Sequence, residues 1–342
     1  MAEETWELQT TQWGKQAALY TPNAATVKLA SLTVDDEPDP TFHEYGAAGE
    51  FAQVGEAAGI VSGKHKIGGT ASYNEFAWLL SALFGNVAPT HPVGGTTSWE
   101  RVWTPKVNEP WGPMLVTQER GIVGGRGRQY ADLVVSGVNI TCGPDKYDPA
   151  GDAFSATVKK NTNLTASLSS LAQVLILGPD TKVYLDTTNQ FAGSPTLIDR
   201  YFELKWSIAD KYAPEWSGGV NAYNGYSLYV EKSPKMTGQI TCEADSTLED
   251  LILGLQATDA IGYLRIESIS KIDAEAGIPY KLVIDSAIKF TKQSAYKAVG
   301  SASGLLGNDY PFTIMRDKTW TTVNASGQFA QLDLICNVAA IS

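Results

Sequence analysis

Apolar residues recur at every second position through much of the chain. In the stretch from Tyr201 to Asp210, Phe202, Leu204, Trp206 and Ile208 alternate with Glu203, Lys205 and Ser207. A period of two is that of a half-buried strand, whose side chains leave the pleat on alternate faces. Residues 281–290 repeat it, with Leu282, Ile284, Ile288 and Phe290 against Lys281, Asp285 and Lys289. So do residues 330–340, where Ala330, Leu332, Leu334, Cys336, Val338 and Ala340 alternate with Gln331, Asp333 and Asn337. Further strands are expected at 99–104, 113–119, 130–142, 153–160, 181–186, 226–232, 236–243, 263–269 and 309–317. The chain therefore reads as mainly β.

Helical spacing appears clearly at two places. Tyr73, Phe76, Ala77, Leu80, Leu83 and Phe84 fit the i, i+3, i+4, i+7 pattern, and so do Leu248, Leu251, Ile252 and Leu255. Each stretch opens on S-x-x-E, Ser72 to Glu75 and Ser246 to Glu249. In such a capping box the hydroxyl and the carboxylate satisfy free amides reciprocally. Gly85 is a stop for the first helix, and Gly262 lies beyond the second. The core candidates are Tyr73, Phe76, Leu80, Phe202, Leu204, Trp206, Ile208, Leu251 and Leu255.

The two boxes lie 174 residues apart, close to half of 342. Two unrelated, well-capped helices would give this pattern; so would an internal duplication, with halves at 1–170 and 171–342. Strand-rich halves with one helix each suggest a β-sandwich or barrel with an added helix. Residues 35–60 and 213–225 carry few periodic signals and read as long loops, of the kind that serve interfaces.

Composition narrows the classes. With 43% hydrophobic and 18% charged residues, the chain is too apolar for disorder and long enough for about two domains. The densest charge-free apolar stretch, Phe76 to Ala88, is 13 residues, too short to cross a bilayer as a helix. The start, Met1-Ala2-Glu3-Glu4, is acidic where a secretory signal would be basic. The excess of 37 acids over 26 bases, net −11, disfavours tight nucleic-acid binding. Three scattered cysteines and three histidines make neither a disulfide framework nor a metal motif.

No catalytic constellation stands out. Asp35-Asp-Glu-Pro-Asp39 lacks the frame of a calcium loop and reads as a solvated acidic turn. The stretch from Gly121 to Arg128 has no G-K-[ST] and no following helix, so it reads as a hairpin connection. There is no G-x-S-x-G, and no carboxylate pair is singled out. Trp13, Trp111 and Trp216 lie near Gly or Pro in apparent loops, as sugar platforms or protein anchors would. A carbohydrate-binding or carbohydrate-cleaving β-sandwich is the alternative from another class. No cofactor, metal or catalytic residue is expected, and the chain is not expected to be an enzyme.

Several segments occur in a telling order. Phe42-His-Glu-Tyr45 is followed by Gly63-Lys-His-Lys-Ile-Gly-Gly-Thr-Ala-Ser-Tyr-Asn-Glu-Phe-Ala-Trp-Leu-Leu80, then Trp99-Glu-Arg-Val-Trp-Thr-Pro105 and the strand from Gln129 to Ile140. The second half carries Arg200 to Tyr212, Tyr229-Val-Glu-Lys-Ser-Pro234, Tyr263-Leu-Arg-Ile-Glu267 and Gly277 to Ile284. In this order they resemble the major tail tube proteins of long-tailed, non-contractile (siphovirus-type) bacteriophages and related prophage tail proteins, over about residues 40–340. The resemblance implies tandem β-sandwich/barrel tail-tube domains, each with a flanking α-helix. It implies a virion protein, assembled in the host cytoplasm, whose rings stack into a tube that conducts DNA. With two domains per chain, three chains would make a pseudo-hexameric ring. The partners implied are further copies, a tape measure protein, tail terminator and distal tail proteins, and DNA in passage, with no membrane. Thr157, Glu203, Lys205 and Ser207 are the candidate lumen-facing residues. A tail terminator or distal tail ring protein is the alternative within the virion.

Overall fold

The computed structural model describes residues 9–45, 55–106, 109–122, 126–187, 191, 195–216, 226–292, 296–299, 304–316 and 328–341, with side chains for all of these except 38–61, 157, 160, 161 and 246. The fold is mainly β, with two α-helices among the described residues. The first half carries β1 (Thr10–Lys15), β2 (Val27–Leu29), β3 (Leu32–Tyr45), β4 (Gly55–Gly69), α1 (Tyr73–Phe84), β5 (Trp99–Trp103), β6 (Val116–Gly121), β7 (Gly127–Cys142), β8 (Tyr147–Ser155) and β9 (Thr157–Thr162). The second carries β10 (Thr181–Asp186), β11 (Thr196–Leu197), β12 (Tyr201–Ala209), β13 (Tyr212–Glu215), β14 (Leu228–Glu231), β15 (Lys235–Glu243), α2 (Ser246–Ala257), β16 (Gly262–Glu275), β17 (Ile278–Phe290), β18 (Lys297–Val299), β19 (Leu305–Ile314) and β20 (Ala330–Cys336).

The strand pairings of the first half recur in the second. The pairs β1–β2, β1–β6, β6–β7 and β7–β9 have counterparts in β10–β11, β10–β16, β16–β17 and β17–β20. Likewise β3–β4, β4–β8 and β7–β8 match β12–β15, β15–β19 and the pairing of β19 with β17 and β18. Each helix follows the strand in the same position, β4 or β15. Backbone bonds at those positions match too. Thr70 N–H donates to Ser31 O as Glu243 N–H does to Arg200 O, and Ala71 N–H to Tyr147 O as Ala244 N–H does to Leu306 O.

One apolar core runs through both halves. Leu204, Trp206 and Ile208 are fully buried, and the Trp206 indole N–H donates to Ser286 Oγ at 3.0 Å. Phe202 departs from the expected alternation. A register shift between Tyr201 and Glu203 breaks the pleat there, and Phe202 is half-buried.

Every residue of α1 is buried, including Trp78 and Leu79, which the stripe of Tyr73, Phe76 and Leu80 leaves out. The helix is enclosed by strands of both halves, touching β7, β17 and β20. It stops at Gly85, whose φ of 94° and close approach to the Gly112 carbonyl admit no side chain. On α2, Leu248, Ile252 and Leu255 are buried, whereas Leu251 is half-buried against the core and Leu253 is exposed.

The capping boxes differ from expectation. Glu75 N–H does donate to Ser72 Oγ, at 3.4 Å, but the Glu75 carboxylate turns inward. It accepts from the amides of Ala30, Ser31 and Leu32 and from the Ser31 hydroxyl and Gln173. In α2 the cap is Asp245, which accepts from Thr247 N–H at 3.0 Å; the last turn ends at Thr258, with Gly262 beyond it as expected.

Residues 35–60 are a further correction. Residues 32–45 and 55–69 form the β3–β4 hairpin, and Asp35 to Asp39 lies within β3, not in a turn. The expected strand at 153–160 is two strands, broken at Ala156. The stretch from Gly121 to Arg128 does connect two antiparallel strands, β6 and β7, with 123–125 outside the described residues. Of the expected loop 213–225, residues 213–215 belong to β13 and 217–225 lie outside the described residues.

Candidate assembly surface

Seven antiparallel pairings place eight strands side by side in the order β3–β4–β8–β7–β12–β15–β19–β18. The first four belong to the first half and the last four to the second. The join between them is β7–β12, where Cys142, Ile140 and Val138 stand opposite Leu204, Trp206 and Ile208. β7 reaches this join by turning a corner. Its residues 127–133 pair with β6 and β9, its residues 134–142 with β8 and β12, and Asp132 between them has φ 57°. Asp132 is held there by Gln16 and by the Tyr20 amide, which donates at 2.7 Å.

One face of this sheet packs on the core and the other is polar. Opposite Leu204, Trp206 and Ile208 lie Glu203, Lys205 and Ser207, the residues that alternation assigns to an open face. Their cross-strand neighbours are Thr141 and Asn139 on one side and Thr241, Gln239 and Thr237 on the other. Ser207 donates to Asn139 Oδ1. Thr157 has no place here. The chain turns at Ala156, and Thr157 pairs with Ala131 on the outer part of β7, its side chain outside the described residues.

Charges on the polar face are mixed and largely paired. Lys66 stands between Asp35 and Asp152 and bonds Asp152. Lys205 meets Glu203 at 2.7 Å, and Lys297 meets Asp309 at 2.6 Å. Lys64, Lys235, Glu37, Asp148 and Glu243 complete the charged positions among the described side chains. Acids outnumber lysines here, so this face carries a small part of the acidic surplus of the chain.

The two outermost strands have no outer neighbour among the described residues. Among the described residues β3 pairs with β4 alone and β18 with β19 alone. Exposed apolar side chains cluster in sequence around the second edge: Tyr296, Leu305 and Leu306. These edges were not foreseen, although Lys64-His65-Lys66-Ile67 carries the period-two signal that would have revealed β4.

Beneath the sheet, His65 is buried, with Nε2 2.9 Å from Ser155 Oγ and its ring edge-on to Tyr130. Burial lowers its pKa to about 4, with Asp36 opposing and Arg120 assisting the shift. The Tyr130 hydroxyl donates to Asp36, which Arg120 and Arg128 also meet, at 3.0 and 3.1 Å. This network links β3, β4, β6, β7 and β8, with Arg128 at its exposed end.

The aromatic candidates for sugar platforms are mostly internal. Trp13 is fully buried in β1 and donates to Gln118. Trp111 is buried, donates to Lys106 O and carries the Lys211 ammonium 4.2 Å from its ring centre. Trp216 is 42% exposed. No group of three metal-ligating side chains occurs among the described residues, and none of their helices is long and apolar enough to cross a membrane. No protein-family model matches the sequence, and no curated protein matches it.

Proposed function

We propose that the protein is a structural virion subunit that polymerises into stacked rings, forming a phage tail tube through which DNA passes. In this reading residues 1–170 and 171–342 are two tube domains. The observation that carries it is the eight-stranded sheet, with two matched sets of four strands joined at β7–β12 and, among the described residues, an edge without a neighbour at each end. A free edge is a template for another strand. Repeating the β7–β12 type of join between β18 of one chain and β3 of the next would continue the sheet from copy to copy. A closed ring then leaves no edge exposed. Three chains, each with two repeats, would supply the six units of a ring.

The polar face would line the lumen in such a ring, and Glu203, Lys205 and Ser207 would lie on it. Its charges are paired with one another, which leaves little net positive field to hold phosphate. Low friction for DNA would then arise from charge pairing together with a small acidic excess on this face.

Negative-stain electron microscopy of the purified full chain tests the proposal. The expected images are rings or long hollow tubes. Single rings that never stack would instead favour a terminator or distal tail component, and compact monomers at high concentration would defeat the proposal.

A further inference from the structure

The segment that links the two halves crosses the start of α1. After β9 the chain runs back over the turn between β4 and α1 in extended form. Tyr73 N–H donates to Val174 O at 3.0 Å, and Ile176 N–H donates to Ala71 O at 2.9 Å. Asn74 Nδ2 donates to Ala172 O and Gln173 Nε2 to Glu75, both at 2.8 Å. Val174 and Ile176 point into the core, and Leu175 and Leu177 point out. The segment then enters β10.

The matching place before α2 is open. Ala244 and Ser246 stand where Ala71 and Tyr73 stand, as the equivalent bonds Ala71 to Tyr147 and Ala244 to Leu306 establish. Among the described residues no backbone amide donates to the Ala244 carbonyl in the way that the Ile176 amide donates to Ala71. In place of a crossing segment there is a cleft of about 430 Å³, walled by residues 196–200, by 242–245 and by Leu248. Leu197 on its wall is 42% exposed. A backbone carbonyl with no backbone donor, beside a cleft of mixed polar and apolar lining, is a place where an added strand can pair.

We infer that this cleft seats the segment upstream of β1 from a neighbouring copy of the chain. The argument is positional. In the first half the crossing segment is the one that leads into β10. The counterpart of β10 is β1, because β1 pairs with β2 and β6 as β10 pairs with β11 and β16. The segment leading into β1 therefore owes its contacts to the preceding repeat, and for β1 that repeat belongs to another chain. The chain's other terminal stretch is already engaged elsewhere, since Asn337 N–H donates to Asn74 Oδ1 at 3.0 Å. Residues 1–8 supply the length, and Trp6 and Leu8 alternate with Thr5, Glu7 and Gln9 as a half-buried strand requires. The identity of the occupant rests on the ring reading above; the cleft does not.

The test is disulfide trapping between full-length variants. Trp6→Cys and Leu197→Cys proteins are purified separately, mixed under oxidising conditions and run on a non-reducing gel beside each variant alone. The native cysteines are buried and serve as internal controls. The expected result is a covalent dimer in the mixture that is lost in either variant alone. Tubes in the microscope without a trapped dimer would overturn the inference and leave the tube reading standing. A double variant, Trp6→Cys with Leu197→Cys, that closes a bond within one chain would overturn it as well, by making the segment its own chain's occupant. A trapped dimer with no rings or tubes would support the docking and count against the tube.

Discussion

Glu75 brings a carboxylate to a place that water does not reach, and it does so to hold a turn. Its oxygens accept three consecutive backbone amides, Ala30 to Leu32, just before β3 begins. Removing the carboxylate leaves the Leu32 amide without an acceptor in the interior and takes the shared acceptor from Ala30 and Ser31 nearer the surface. Glu75→Ala should cost about 3 kcal/mol. Glu249→Ala on α2, whose carboxylate meets the exposed Tyr296 hydroxyl, should cost under about 1 kcal/mol. Urea unfolding midpoints of the two variants check the difference. His65 gives a pH dependence of known sign. Its folded pKa of about 4 lies below the ordinary 6.5, so the unfolded chain takes up a proton that the folded chain refuses. The His65 contribution is therefore complete above pH 6.5 and declines as the pH falls towards 4, by roughly 3 kcal/mol in all. His65→Gln should flatten that part of the curve of Tm against pH, with no change of slope above pH 7.

At the scale of elements, β12 shows both faces of the alternation at once. Trp206→Asp would bury a charge beside Ile140 and Ser286, at a cost that exceeds the few kcal/mol by which domains are stable. Lys205→Asp, one position away on the open face, should fold with Tm nearly unchanged. Circular dichroism melts of the pair test the face assignment. The strands that alternation located are those whose apolar side packs on the core, such as β12, β17 and β20. β3 was hidden because Asp35, Asp36, Glu37, Pro38 and Pro40 are poor strand formers. Pro is tolerated in β3 because it lies at a sheet edge, where an amide has no ladder partner to lose. The edge itself, which matters most for assembly, is a property of pairing and has no local signature. α1 illustrates the opposite limit, since a stripe of six apolar residues cannot reveal that its other side is covered by strands more than two hundred residues away.

For the molecule as a whole, the balance of charge on the eight-stranded sheet is what a DNA conduit would depend on. Asp148→Lys, Asp152→Lys and Glu203→Lys together would turn that face cationic while leaving the core untouched. In the proposed tube the triple variant should still assemble but should retain DNA, with retention falling steeply as salt rises. Filter binding of assembled tubes to duplex DNA measures this; wild-type tubes should retain none at physiological salt.

The enclosure of α1 also bears on when the protein becomes able to assemble. β17 and β20 touch this helix, Asn337 bonds Asn74, and the buried Arg101 guanidinium donates to Val338 O and Ala339 O. The hydrogen bonds among these contacts join positions more than 230 residues apart in sequence. At a synthesis rate on the order of ten residues per second, the first half waits tens of seconds for the strands that bury its helix. Until then the core around α1 is incomplete, and the sheet that rests on it has no firm backing. In the proposed tube the ribosome would thus set a delay on polymerisation: a nascent chain still lacks the backing for a finished edge, and only completed chains would present one to each other.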